Sequence, residues 1–141
     1  MDVPASLRRW FVAHSAVDVA LGLPLLFAPA LLLGPLGWSR VDEASTRLVG
    51  AAMVAIGAQS FIGRHAGVAV YQAMLNLKLI WSFAAIFGLS VAIARGAPPA
   101  AFAFLSAFIA LAGVWSHYRI RFKQLASARD EDEEEEDETV D

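Results

Sequence analysis

The sequence predicts an all-α polytopic membrane protein, four transmembrane helices in an up-down-up-down bundle with a short interfacial helix after helix 1 and a disordered acidic tail. Three observations carry that expectation. Apolar stretches over residues 7–33, 44–63, 68–94 and 98–118 fill nearly all of the first 123 residues, and a hydrocarbon core of about 30 Å takes about 20 helical residues to cross. Hydrophobic residues make up 57% of the chain and the mean hydropathy is +0.54, above the usual range for a water-soluble domain. The formal charge of −3 conceals a division, because residues 1–129 hold all 11 Lys and Arg against Asp2, Asp18, Asp42 and Glu43, while 130–141 hold the remaining acids. A basic four-helix domain (1–129) is thus followed by a strongly anionic tail (130–141).

The elements follow in order. Arg8-Arg9 before an apolar run resembles the start of a signal peptide, but such apolar regions are uninterrupted over about 7 to 15 residues. His14 and Asp18 break this one, so the first stretch reads as a retained span. Pro24 and Pro29 remove backbone donors and clash with the preceding turn, which sets the end of the continuous helix near Phe27. The run 29–38 then reads as a short helix lying at the interface, with Trp38 at headgroup depth. Ser39 followed three residues later by Asp42 fits a capping box opening the second span. The turns at 63–67 and 95–99 are short enough to force antiparallel neighbours. Small residues at four-residue spacing, Ala84, Gly88 and Ala92 on the third span and Ala51 and Ala55 with Gly57 on the second, suit close helix packing. The tail 130–141 has no apolar face and repels itself, so disorder is expected of it.

Composition excludes several chemistries. With no cysteine, there are no disulfides, thiolate metal sites or iron–sulfur clusters. No catalytic residue set, no metal site and no cofactor is indicated. Seven cations (Arg8, Arg9, Arg64, Arg119, Arg121, Lys123 and Arg129) fall on one side and three (Arg40, Arg47 and Arg95) on the other. Cation-rich short loops stay cytoplasmic, which predicts a multi-pass cell-membrane protein with both termini inside. The lipid bilayer is the expected partner, together with another membrane protein or a second copy of the chain. Nucleic acid is excluded for the acidic segment by charge.

Polar groups inside the spans carry the functional information, since each is costly in hydrocarbon unless paired or wetted. His14, Gln59, Gln72 and His117 each lie four or five residues from the cation-rich end of their own span, one group per helix at one level. Asp18, Asn76 and Lys78 lie deeper. Asp18 and Lys78 sit at matched depth near mid-membrane and suggest an ion pair, and His14 lies one turn from Asp18 on the same face. On the third helix, however, Gln72 and Asn76 form one stripe while Tyr71, Lys78 and Ser82 form another about 160° away, so both stripes cannot face one interior. Either Lys78 turns inward to Asp18 and the amides face another helix or subunit, or the amides line the interior and Lys78 snorkels.

These groups support a leading function class and two alternatives. The leading one is a noncatalytic subunit or interaction module, in which polar groups specify helix pairing. The alternative is a small proton- or cation-coupled transporter using Asp18. The second alternative is a haem-binding redox protein using His14 and His117, which lie at similar depth on the first and last spans.

Arg47-Leu48-Val49-Gly50-Ala51-Ala52 with Gly57 beyond, preceded by Gly22, Pro29, a run of leucines and Gly37, resembles the arrangement in DoxX-like and related small four-helix membrane proteins. The resemblance covers about the first half of the chain. It implies the same four-span fold, no assigned catalytic residue, and an Arg47 that stands at the outer start of helix two holding the preceding loop.

Overall fold

The computed structural model describes residues 3–138, with side chains as far as Gln124. Its helices are α1 (Ala5–Phe27), α2 (Pro29–Leu33), α3 (Glu43–Ile62), α4 (Val68–Ala94) and α5 (Ala100–Glu138), with a 3-10 turn at Gly63–His65 between α3 and α4. Four segments are long and apolar enough to cross a membrane: Ala5–Phe27, Glu43–His65, Val68–Ala94 and Ala100–Gln124. At about 1.5 Å per residue, each reaches across a core of about 30 Å.

Proline sets the first boundary as the sequence predicts. α1 carries Pro24 inside and stops at Phe27, because Pro29 disfavours helical backbone at Ala28, whose φ of −144° and ψ of 59° leave the helix. Pro29 then opens α2 at a position where its missing N–H costs nothing. Gly37 has φ +99° and its absent Cβ would lie 2.9 Å from Pro98 Cβ, so only glycine permits both the left-handed turn and the approach of the two loops. The start of α3 differs from expectation. Its cap is Asp42, whose Oδ1 accepts from the Ser45 backbone N–H at 2.8 Å, not Ser39. An Asp immediately before the first helical residue reaches a free amide two or three positions on, whereas Ser39 lies too far back in the chain.

The bundle is two tight antiparallel pairs, α1 against α3 and α4 against α5. Glycine closes the first pair. A Cβ on Gly50 would lie 2.6 Å from the Leu26 backbone nitrogen, and one on Gly57 would lie 2.8 Å from Asp18 Cβ. In lipid such approach supplies the dispersion contacts that hydrophobic exclusion supplies in water. Aromatic side chains join the pairs. Leu7 and Phe11 of α1 meet Tyr71 and Leu75 of α4 and Trp115, Tyr118 and Phe122 of α5. The Phe11 ring lies 4.8 Å from Tyr71 and 5.6 Å from Trp115, centroid to centroid, and such pairs contribute about 0.5 to 1.5 kcal/mol each beyond their buried area.

This core lies toward the end of the bundle that carries the start of α1 and the α3–α4 turn. On α4 the buried residues are Tyr71, Met74, Leu75, Lys78 and Ser82, with none beyond. The small-residue stripes therefore fall differently from expectation. Ala51, Ala55, Ala84 and Gly88 are exposed; of the expected stripe Gly57 lies in the seam, where it is joined by Gly22 and Gly50. Four-residue spacing fixes a shared face but not which face meets a neighbour.

The helical backbone of α5 continues to Glu138; the expectation of disorder for 130–141 rests on the self-repulsion of its acids. The remainder of that expectation, at 139–141, lies outside the described residues.

Candidate functional site

Two buried stripes meet in the centre of the bundle. On α1 the stripe is Leu7, Phe11, Ser15, Asp18 and Gly22, and on α4 it is Tyr71, Leu75, Lys78 and Ser82. Spacings of three and four residues hold each set to one helix face, so the polar members replace apolar side chains within a core-facing row. Lys78 thus turns inward, and the amide stripe turns away. Asn76 is exposed and its Oδ1 accepts from Arg119 Nε of α5 at 2.8 Å, which gives the amide a partner on a neighbouring helix.

His14, Asp18 and Lys78 form one cluster. His14 Nδ1 lies 2.8 Å from Asp18 Oδ2 and 3.0 Å from Lys78 Nζ, while Lys78 Nζ and Asp18 Oδ2 are 3.8 Å apart. Their side chains are 11%, 8% and 2% exposed in that order. The ion pair expected of Asp18 and Lys78 is present, but the imidazole is the nearer partner of both.

One imidazole nitrogen cannot serve both neighbours at once. If Nδ1 carries a proton it donates to Asp18 and cannot accept from Lys78; if it does not, it accepts from the ammonium and presents its lone pair to the carboxylate. Among the described residues, Asp18 Oδ2 is buried without a correctly angled hydrogen-bond donor. Of the contacts Nδ1 makes to Nζ and Oδ2, only one at a time can be a hydrogen bond. A shift of one proton between Nζ, Nδ1 and Oδ2 needs no rearrangement of the helices.

Aromatic and backbone groups wall the cluster. Lys78 Nζ lies 5.2 Å from the ring centroids of both Phe11 and Trp115, within the range of cation–π attraction. The Trp115 ring stands edge-on to His14 at 5.2 Å. Next to Asp18, Ser15 Oγ donates to the Gly57 carbonyl of α3 at 2.7 Å, and the missing Gly57 side chain leaves room for the Asp18 Cβ.

The other polar candidates stand apart. Gln59 and His117 are exposed and Gln72 is half-buried, so the level of polar groups counted from the sequence is not a single layer in space. The α5 residue facing His14 is Trp115, and His117 two positions on turns outward, so the structure does not bring the two histidines together. Among the described residues no group of three or more His, Cys, Asp or Glu is placed to hold a metal ion.

Arg47 stands in the first turn of α3. Its guanidinium donates from Nη1 to the Leu26 carbonyl at 2.7 Å and from Nη2 to Glu43 Oε2 at 3.1 Å. The first bond satisfies an orphan carbonyl at the α1 terminus, and the cation suits the negative end of that helix. At the other end of the bundle the Arg64 carbonyl accepts from both Arg8 Nη1 at 3.2 Å and Tyr71 Oη at 2.9 Å. Sequence reasoning missed Phe11, Trp115 and Ser15 as walls of the cluster. A weak signal existed for Phe11 and Ser15, which share the α1 face of Asp18; for Trp115, on α5, there was none.

Comparison with family models, with curated proteins and with solved structures returns no match to this chain.

Proposed function

We propose that this chain is a small multi-pass membrane protein, with both termini cytoplasmic, that couples proton exchange at the His14–Asp18–Lys78 cluster to the movement of a cation. The observation that carries the reading is the His14 Nδ1 position, within hydrogen-bond distance of both an acid and an amine. Energetics favours a functional role over a purely structural one. Replacing a buried ion pair by well-packed apolar groups is often neutral or stabilising by about 1 to 4 kcal/mol, so stability alone gives little reason for three ionisable groups at mid-span. Intramembrane acids, bases and histidines recur in proton relays for this reason.

The test is flux in sealed proteoliposomes carrying a pH-sensitive dye. A cation gradient should drive proton movement through the intact protein, and Asp18→Asn should abolish it while the purified variant remains monodisperse. Equal flux in the intact and Asp18→Asn proteins, or none in either, would overturn the reading.

A second reading, a noncatalytic subunit or interaction module, rests on the α4 surface beyond the cluster. Ile80, Phe83, Ala84, Phe87 and Gly88 are all exposed, and small residues among large apolar ones suit close approach by another helix. Stable co-purification with one membrane protein, lost in Gly88→Leu, is its expected signature; retention of the partner by that variant would count against this face.

A further inference from the structure

The walls around Lys78 Nζ are those that recognise a free ammonium ion. Two aromatic rings lie at 5.2 Å, one carboxylate oxygen at 3.8 Å and one imidazole nitrogen at 3.0 Å. An ammonium draws on all three chemistries: ring quadrupoles attract a desolvated cation, a carboxylate balances its charge, and a neutral imidazole accepts one N–H. The Lys78 head group is itself an alkylammonium, delivered on a tether from α4.

We propose that Phe11, Trp115, His14 and Asp18 form an intramembrane binding site for a primary alkylammonium ion, and that Lys78 is the site's resident occupant. The inference rests on the cation-coupled reading above and names its substrate class. Charge conservation dictates the exchange. An alkylammonium can enter only when Lys78 gives up one proton and withdraws as a neutral amine. The proton passes from Nζ to His14 Nδ1, the most exposed member of the cluster, and from there to water. One cation enters for each proton released, and the site keeps the same net charge throughout.

The titratable neighbours are few. α1 contributes His14 and Asp18, and α4 contributes Lys78 and Tyr71, whose hydroxyl is engaged by the Arg64 carbonyl. Among the described residues, α5 faces the cluster with Trp115 and α3 with Gly57, neither of them titratable.

The test removes the tether. Lys78→Ala deletes the last three carbons and the ammonium, a volume matched by n-propylammonium. The variant should be stabilised in detergent by propylammonium chloride, with saturable binding, and not by equal sodium chloride or by n-propanol, which has the shape without the charge. Adding Trp115→Leu should weaken that binding on the order of tenfold. Lys78→Met, which fills the space with an apolar chain, should bind no propylammonium. Should Lys78→Ala fail to fold unaided, its recovery as a monodisperse species only when purified in propylammonium is the same readout. In the intact protein, lightly buffered, bound propylammonium should release one proton per cation.

Indifference of Lys78→Ala to propylammonium, equal rescue by propanol, or failure to recover it in either would overturn the proposal. So would binding to the intact protein without proton release. These results are separable from the flux test: proton movement that depends on Asp18 but proceeds with sodium and not with propylammonium keeps the transport reading and removes the alkylammonium site.

Discussion

At the scale of single residues, the central dependency is that Asp18 and Lys78 hold each other inside the bundle through His14 as well as directly. Removing one leaves the other buried without its counter-charge. Asp18→Asn and Lys78→Met should therefore each lower stability by roughly 3 to 5 kcal/mol, and the double substitution should cost less than their sum by about 1 kcal/mol or more. Denaturation in mild detergent gives all four corners of the cycle; strict additivity would mean that the two charges do not depend on one another. Much of this pairing was legible in the sequence, because depth along a helix follows directly from residue count. What depth cannot give is the direction around the axis. For that reason Gln59, Gln72 and His117 matched His14 in level but not in facing. The choice between the two α4 stripes was likewise open until Asn76 was seen to bond Arg119. Phe11 and Trp115 were not singled out because a chain with 11% aromatic residues offers many candidate walls. Only side-chain packing selects two of them.

At the scale of elements, each helix end has its own chemistry and its own expected response. The Ser45 backbone N–H holds the Asp42 carboxyl below its ordinary value of 3.8. A lowered acid in the folded state stabilises above the unfolded value and loses that contribution as pH falls through the folded one. Asp42→Ala should thus melt earlier than the intact protein near pH 6, and the gap should narrow as pH falls below 3.8; a gap independent of pH would refute the cap. At the far end of α1, Arg47→Met removes the donor to the Leu26 carbonyl and should cost about 1 to 2 kcal/mol, read by the same melts. The 130–141 segment is the opposite case. It offers no apolar stripe to pack, so a chain ending at Arg129 should keep its melting temperature within about 2 °C at physiological salt. A larger loss would show that the acids dock on the bundle. Helix boundaries were the most legible feature at this scale, since Pro24, Pro29 and the Gly63–Gly67 turn act through local sterics. The α1–α3 seam was less so, because Gly22 and Gly50 declare themselves only when the opposing backbone is in place.

At the scale of the whole molecule, the cation imbalance predicts that both termini face the cytoplasm. Reporter fusions at Ser39, His65, Ala97 and the carboxyl end should be active outside, inside, outside and inside in turn; a carboxyl-terminal reporter active only outside would reverse the orientation. The division into two helix pairs, the first closed by glycine and the two joined by aromatic side chains, bears also on how the chain is made. His14 precedes Lys78 by 64 residues, and at synthesis rates of about 5 to 20 residues per second Lys78 follows roughly 3 to 13 s later. α3 ends only at Ile62, so for roughly the last 1 to 3 s of that wait the first hairpin is complete and its glycine seam can close, yet Asp18 has no ammonium beside it. A buried carboxylate is costly in lipid, and until the second hairpin arrives the partner at hand is His14 of the same helix, so the newborn hairpin must either lean on that imidazole or linger at the insertion machinery. Completion of the cluster would then mark the arrival of the second hairpin. A ribosome stalled before Lys78 emerges should leave a first hairpin that crosslinks to the insertase, and Asp18→Asn should release it early into the bilayer.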